Sequence, residues 1–227
     1  MTMKQIPAFR LFALFATIAI VGCSNPADDV AKAEVTEATE ETPNATSTAT
    51  QAANAKTFVL GGDSTIHFLG SKTVGGEQPG GFKTFVGQLN VVDGKLAAEG
   101  SKIVIDMNST WSQAGDRLTN HLKNEDFFDV PNFPTSTFAA TRIESEGEGQ
   151  KVTGNLTLHG VTKSISFPAA VDVSDDNVSL QAEFAINRFD FGIEFPGQAD
   201  NLIRKEVVMT LNVKATPGEA DFNTVAQ

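Results

Sequence analysis

Cysteine, tryptophan, histidine and tyrosine are nearly missing from this chain of 227 residues. It has one Cys, one Trp, three His and no Tyr, against 17 Phe. A lone cysteine, Cys23, excludes an intramolecular disulfide, so a hydrophobic core must hold any fold. His67, His121 and His159 have no metal-ligand spacing, and no cysteine stands near them to complete a site. A GxSxG nucleophile elbow and a P-loop are both absent, and no GK[ST] follows the glycine-rich stretch Gly61-Gly62-Asp63-Ser64. Asp126 and Asp129 flank Phe127 and Phe128 and read as backbone caps or solvated carboxylates. No constellation makes an enzyme. Bases are scarce too: 17 Lys and Arg stand against 28 Asp and Glu, a net charge of −11. That balance repels phosphate backbones and excludes sequence-independent nucleic-acid binding. It also leaves no polybasic patch for a membrane surface. Phenylalanine, the aromatic without a polar handle, remains in excess and suits an apolar interior.

The N-terminus carries a different signal. Lys4 and Arg10 precede an uncharged apolar run from Leu11 to Val21, then Gly22 and Cys23. A basic region, a short apolar run and a small residue before a cut site make a secretory signal, expected over residues 1–22. The run is too short to span a bilayer as a helix. Ala19-Ile20-Val21-Gly22-Cys23 resembles the lipobox of bacterial lipoproteins. The resemblance implies that Cys23 becomes the first residue and carries the lipid anchor. It places the protein in the bacterial cell envelope. With Ser24 rather than aspartate after the anchor, the periplasmic face of the outer membrane is expected. Residues 1–22 hold two bases and no acids, so their removal takes the net charge from −11 to about −13.

From Ser24 to Lys56 the chain is rich in Ala, Thr and Glu and almost free of large apolar residues. Residues 23–56 are therefore expected to be a disordered acidic tether. As a coil it would span roughly 30 Å, and stretched on the order of 110 Å.

Residues 57–216 read as one domain, followed by a flexible tail over 217–227. Apolar residues alternate with period two. Ile66 and Phe68 share a face, as do Phe85, Leu89 and Val91. Further strands follow at Lys102–Met107, Thr137–Ile143, Val152–Leu158, Ile165–Val173, Val178–Ile186 and Val207–Val213, for about eight in all. Asp93-Gly94, His159-Gly160 and Asp175-Asp176-Asn177 are tight turns between antiparallel neighbours. Pro168 marks an edge or bulge. Trp111 to Phe133 breaks the alternation, with Leu118 and Leu122 at helical spacing and Ser112 as a candidate cap. The expected fold is all-β: an eight-stranded antiparallel barrel, with a short helix and aromatic loop between strands three and four.

Five stretches in order resemble the YceI-like family of periplasmic polyisoprenoid-binding proteins. They are Gly81-Phe82-Lys83-Thr84-Phe85-Val86-Gly87, His121 to Val130 with Asn132-Phe133-Pro134 beyond, Gly154 to Lys163, and Asn187 to Ile193. The family's Arg-Asp pair ahead of His-Leu is replaced here by Leu118 and Thr119. The resemblance implies a lipocalin-like barrel with an apolar tunnel. Its ligand would be a long isoprenoid lipid of quinone or polyprenyl type, with no other cofactor.

A barrel of this size either fills its interior with side chains or holds one ligand. At about 0.3 kcal/mol per heavy atom, forty isoprenoid carbons would bind with on the order of −12 kcal/mol, which is nanomolar. Strand phase makes Phe68, Phe85, Leu89, Phe167, Phe184 and Met209 the expected wall. Trp111, Leu118, Leu122, Phe127, Phe128, Phe133 and Phe138 are expected at the mouth or plug, with Phe189 and Phe191 near another strand end. Arg188 and Asn187 meet either a polar head group or Asp190. The reading is a membrane-anchored lipid carrier whose partners are an isoprenoid lipid and, through Cys23, the membrane; a homodimer is admitted. Its alternative is a filled barrel serving as an interaction or envelope-stress module, because periodicity alone does not distinguish hollow from packed.

Overall fold

A computed structural model describes residues 25–38, 55–74, 76–199 and 201–225. The signal segment, Cys23 and residues 39–54 of the expected tether lie outside the described residues. Strands dominate, as the period-two pattern requires. They are β1 (Ala31–Lys32), β2 (Glu34–Glu37), β3 (Ala55–Leu60), β4 (Thr65–Ser71), β5 (Glu77–Phe82), β6 (Phe85–Val92), β7 (Lys95–Asp106) and β8 (Thr110–Ser112). After helix α1 (Asp116–Leu122) come β9 (Thr135–Glu146), β10 (Gly149–Leu158), β11 (Val161–Val173), β12 (Val178–Asn187), β13 (Gly197–Gln198), β14 (Asn201–Leu202) and β15 (Glu206–Pro217).

Several short strands are halves of longer ones. Both β3 and β4 pair with β15, Leu60 opposite Ala215 and Thr65 opposite Asn212, so they form one bent stave. β5 pairs with β4 and β6 with β3, which makes the second stave. β7 and β8 make the third, kinked by a 3-10 turn at Met107–Ser109. With β9, β10, β11, β12 and β15 the ring closes through β12 on β15, giving a closed eight-stranded antiparallel barrel. Asp93 and Gly94, and again His159 and Gly160, all have positive φ, the geometry of two-residue turns whose twist matches the flanking strands. Helix α1 lies between the third and fourth staves. Its N-cap is Gly115, not Ser112. Ser112 ends β8 instead, where its Oγ accepts from the Ala114 N–H (3.2 Å) and its own N–H donates to Thr119 Oγ1 (3.0 Å).

One seam is incomplete. β11 pairs with β12 only over Ala170–Val173. Towards the end where β11 begins, the two strands part, and the N-terminal segment enters between them. β1 runs parallel to β12, with Ala31 opposite Phe184. β2 runs antiparallel to β11, with Val35 opposite Ile165. Pro168, which has no N–H to give, stands where β11 changes partner. Ala33 and Val35 pack against the main core. Ala27 is buried on the outer face of the barrel against Ala185 and Val208, flanked by Val30 and Leu69. Glu34 and Glu37 take Lys151 and Lys163 as ion-pair partners, each at 2.6 Å.

This docking corrects the expected disordered tether over its first part. Composition tests whether a segment can bury enough of its own surface to fold. Here two parted strands offer free hydrogen-bonding edges, and a few small residues suffice to fill the gap. The expected tail is corrected likewise. β15 continues to Pro217, a 3-10 turn spans Phe222–Thr224, Lys102 lies 5.4 Å from the Phe222 ring centre, and Val225 is buried.

Candidate functional site

Alternation sends one side chain in two into the barrel, and there they leave a cavity of about 600 Å³. Walls are aliphatic and aromatic. Phe167 and Phe184 stack face to face with centres 4.1 Å apart, and Phe138 leans on Phe167 at 5.7 Å. Phe68, Phe82 and Phe128 form a second aromatic group, with centres 5.7 to 6.3 Å apart. Gly80 makes room for this group, since a Cβ there would overlap the Phe68 ring.

At the end where β4 stops and β15 starts, α1 and residues 193–199 and 201–203 cover the barrel. Leu118, Leu122 and Phe127 line the cavity from the helix side, and Ile193, Phe195 and Ile203 from the other. His121 stands edge-on between Phe127 and Phe195, at 5.0 and 5.1 Å, while its Nε2 meets Asp126 at 2.8 Å. Exposed Arg117 and Gln198 both line the cavity, so it reaches the surface between these covers.

Arg188 holds the second cover in place. Its side chain is buried, and it donates to the carbonyls of Ile193, Phe195 (2.8 Å), Ile203 (3.3 Å) and Arg204 (3.1 Å). Burial lowers its pKa, and Glu194 opposes that shift; a guanidinium remains charged regardless. The Asp190 pairing belongs to Asn187, whose Nδ2 donates to Asp190 Oδ1 at 3.2 Å. His159 is a turn residue whose Nδ1 lies 3.1 Å from the Phe191 carbonyl oxygen. Among the described residues, no three His, Cys, Asp or Glu side chains are grouped to hold a metal.

Of the residues picked from sequence, Phe68, Leu89, Leu118, Leu122, Phe127, Phe128, Phe138, Phe167, Phe184 and Met209 line the cavity. Five do not. Phe85 sits at the start of β6 beside the Lys83–Thr84 break, half-buried on the core but off the void. Trp111 faces outward, edge-on to His67 at 5.6 Å, because the pleat puts it opposite Gly81 rather than with Phe68. Phe133 packs on His159 and over Gly160. Phe191 is wholly buried in the solid core, and Phe189 is 42 % exposed beneath the Arg188 guanidinium. Aliphatic side chains not among the expected wall residues, such as Ile103, Ile105, Leu156, Ile165, Leu180 and Val213, complete the walls. Their strand phase is the signal in the sequence that marks them. Cys23 lies outside the described residues.

Known proteins match this geometry. The family described as the YceI-like domain matches residues 59–215. A UPF0312 protein of Pseudomonas putida is 34 % identical over 137 residues, covering 56 % of this chain and 70 % of its own. One from Vibrio vulnificus is 36 % identical over 122 residues, covering 52 % and 64 %. Among solved structures, BcnA of Burkholderia cenocepacia superposes with a TM-score of 0.58 at 24 % identity, over 67 % of this chain and 96 % of its own. A polyisoprenoid binding domain from Saccharophagus degradans gives 0.58 at 19 % identity, over 73 % and 100 %. Those two likenesses establish the barrel. With the domain matched from Val59, near the end of β3, to Ala215, near the end of β15, the chain belongs to the YceI-like family.

Proposed function

We propose that this protein is a lipid carrier of the bacterial envelope that holds a linear isoprenoid chain inside its barrel. The observation that carries the reading is the cavity, about 600 Å³ of space walled by Phe, Leu, Ile and Val with an opening at one end. That volume falls within the ordinary range of ligand sites, about 300–1,000 Å³. At the roughly 30 Å³ that a water-sized group occupies in a liquid, it takes at least about 20 carbons, or four isoprene units. At about 0.3 kcal/mol per heavy atom this contributes on the order of −6 kcal/mol, a floor in the tens of micromolar. The solved Saccharophagus relative, named a polyisoprenoid binding domain, supports the same ligand class. A hollow interior favours this reading over a filled interaction module.

The lipobox-like stretch supports an acyl anchor on Cys23 and a position on the periplasmic face of the outer membrane. The docked segment changes what that anchor does. Ala27 is packed on the barrel, so only Ser24, Asn25 and Pro26 separate it from Cys23, a reach of at most about 14 Å. The anchor would hold the barrel against the bilayer rather than on a long leash. Two measurements test the proposal. Solvent extraction of natively purified protein should release an isoprenoid near one equivalent, and empty extracts would refute the carrier. The intact mass from membranes should include acyl chains on Cys23, and an unmodified mass would refute the anchor.

A further inference from the structure

The family domain begins at residue 59, yet the barrel wall is incomplete without residues 31–37. The neighbouring seams are closed by continuous ladders, β10 with β11 from Gln150 to Leu158 and β12 with β15 from Val178 to Asn187. Between β11 and β12 direct pairing ends at Ala170 and Gln181. From there to the covered end of the barrel, residues 182–187 of β12 share no ladder with β11, a stretch of roughly 20 Å. The N-terminal strap fills it. A strand laid between two others holds them about 10 Å apart, twice the spacing of direct neighbours.

Behind the strap lies the cavity. Val35 is opposite Ile165 and Ala31 opposite Phe184, and both partners line the void. Ala33 and Val35 pack on the core but do not line the cavity themselves. The inner layer of the seam is made of side chains, since Phe167 of β11 and Phe184 of β12 meet face to face at 4.1 Å. Parting the two strands here therefore breaks the strap's own contacts and one aromatic stack, and no ladder between β11 and β12. The strap's contacts are slight. β1 has two residues, and the side chains of Glu34 and Glu37, which pair with Lys151 and Lys163, are 71 % and 89 % exposed. Exposed pairs of this kind hold little. The end cover is tied more firmly, through the bonds from Arg188 to the carbonyls of Ile193, Phe195, Ile203 and Arg204.

The strap also starts beside the anchor proposed above. Ala27 packs on the outward row Ala185, Val208 and Leu69, next to the seam. An acylated Cys23 brings the bilayer to this side of the barrel. We infer that the strap is a movable side wall. It lifts from the seam, Phe167 and Phe184 part, and a linear apolar chain passes broadside between bilayer and cavity. A chain moving in this way exposes less of its length to water than one threaded end-on. The inference rests on the isoprenoid reading above and adds the route by which the cargo enters.

Thr36 of the strap lies opposite Ser164 of β11, and neither lines the cavity. Opposed residues of antiparallel strands have Cα atoms about 4.5–5.5 Å apart, within reach of a disulfide. Thr36→Cys with Ser164→Cys, in the mature protein carrying Cys23→Ser to remove the third thiol, locks the strap when oxidised. Delipidated protein is mixed with phosphatidylcholine vesicles containing geranylgeraniol, and uptake is followed in time. The oxidised form should load about tenfold more slowly, and dithiothreitol should restore the rate of the Cys23→Ser protein. Equal rates with the disulfide made and broken would overturn the side entrance while the isoprenoid site stands. Thiols that fail to pair under oxidant would overturn it too, by contradicting the register. Hydrogen exchange of the natural protein reads the same motion without a crosslink. Amides of residues 31–37 should exchange about tenfold faster than those of β12 paired with β15, and equal protection would overturn a movable strap. Absence of uptake by the Cys23→Ser protein would remove the isoprenoid reading itself, and the entrance with it.

Discussion

Ala140→Phe separates a hollow barrel from a packed one. Ala140 lies on β9, opposite Gly154 of β10, and lines the cavity. A phenyl ring there adds six carbons and displaces about as many ligand atoms, worth about 2 kcal/mol at 0.3 kcal/mol each. Affinity for an isoprenoid should fall roughly thirtyfold. Stability should move the other way or stay level, because the ring enters empty space and gains contacts. In a packed core the same ring would be an overpacking change costing about 1–3 kcal/mol. For a domain of this size that lowers Tm by about 2–4 °C per kcal/mol. Geranylgeraniol titration and thermal unfolding of one variant therefore read both quantities. A fall of several degrees in Tm with unaltered affinity would refute the placement of Ala140 on a void.

Other outcomes follow from particular contacts. Arg188→Lys removes the fork that satisfies four carbonyls, and unsatisfied buried acceptors cost about 1–3 kcal/mol each; melting should drop by more than 5 °C, and an unchanged Tm would contradict the fork's role. Lys151→Ala with Lys163→Ala should loosen the N-terminal strap, so that limited proteolysis cuts within residues 25–38 several times faster; equal rates would show that the ion pairs hold nothing. The Lys56 ammonium, hydrogen-bonded to Asp175 at 2.6 Å, holds that carboxyl below its usual 3.8. A depressed carboxylate stabilises the fold above its unfolded pKa and loses that contribution as pH falls through the folded value. Melting curves of Asp175→Asn should therefore sit below those of the natural protein at neutral pH and meet them in strong acid; a constant offset down to pH 2 would oppose this linkage.

Strand phase makes much of the barrel legible in the sequence. Ile66 with Phe68, and Val178 through Ile186, put every second residue inside as the pleat demands. The turns Asp93-Gly94 and His159-Gly160 announced their neighbours because few residue pairs accept positive φ twice in succession. Phase failed where the strand broke. Trp111 lies beyond the kink at Met107–Ser109, and Phe85 directly follows a break. The strap was illegible for another reason. Ala31 to Glu37 has little apolar content of its own and is ordered by edges that β11 and β12 leave free only in the assembled barrel. The opening is hidden likewise, since Arg117 and Gln198 are far apart in the chain and come to one cavity only through the fold.

The most direct test is a crystal structure of protein purified without delipidation. It should show continuous tubular electron density running from the rim at Arg117 and Gln198, past Phe68, to the stacked rings of Phe167 and Phe184. Side chains closed across the axis, or a bore holding only scattered water, would contradict the carrier.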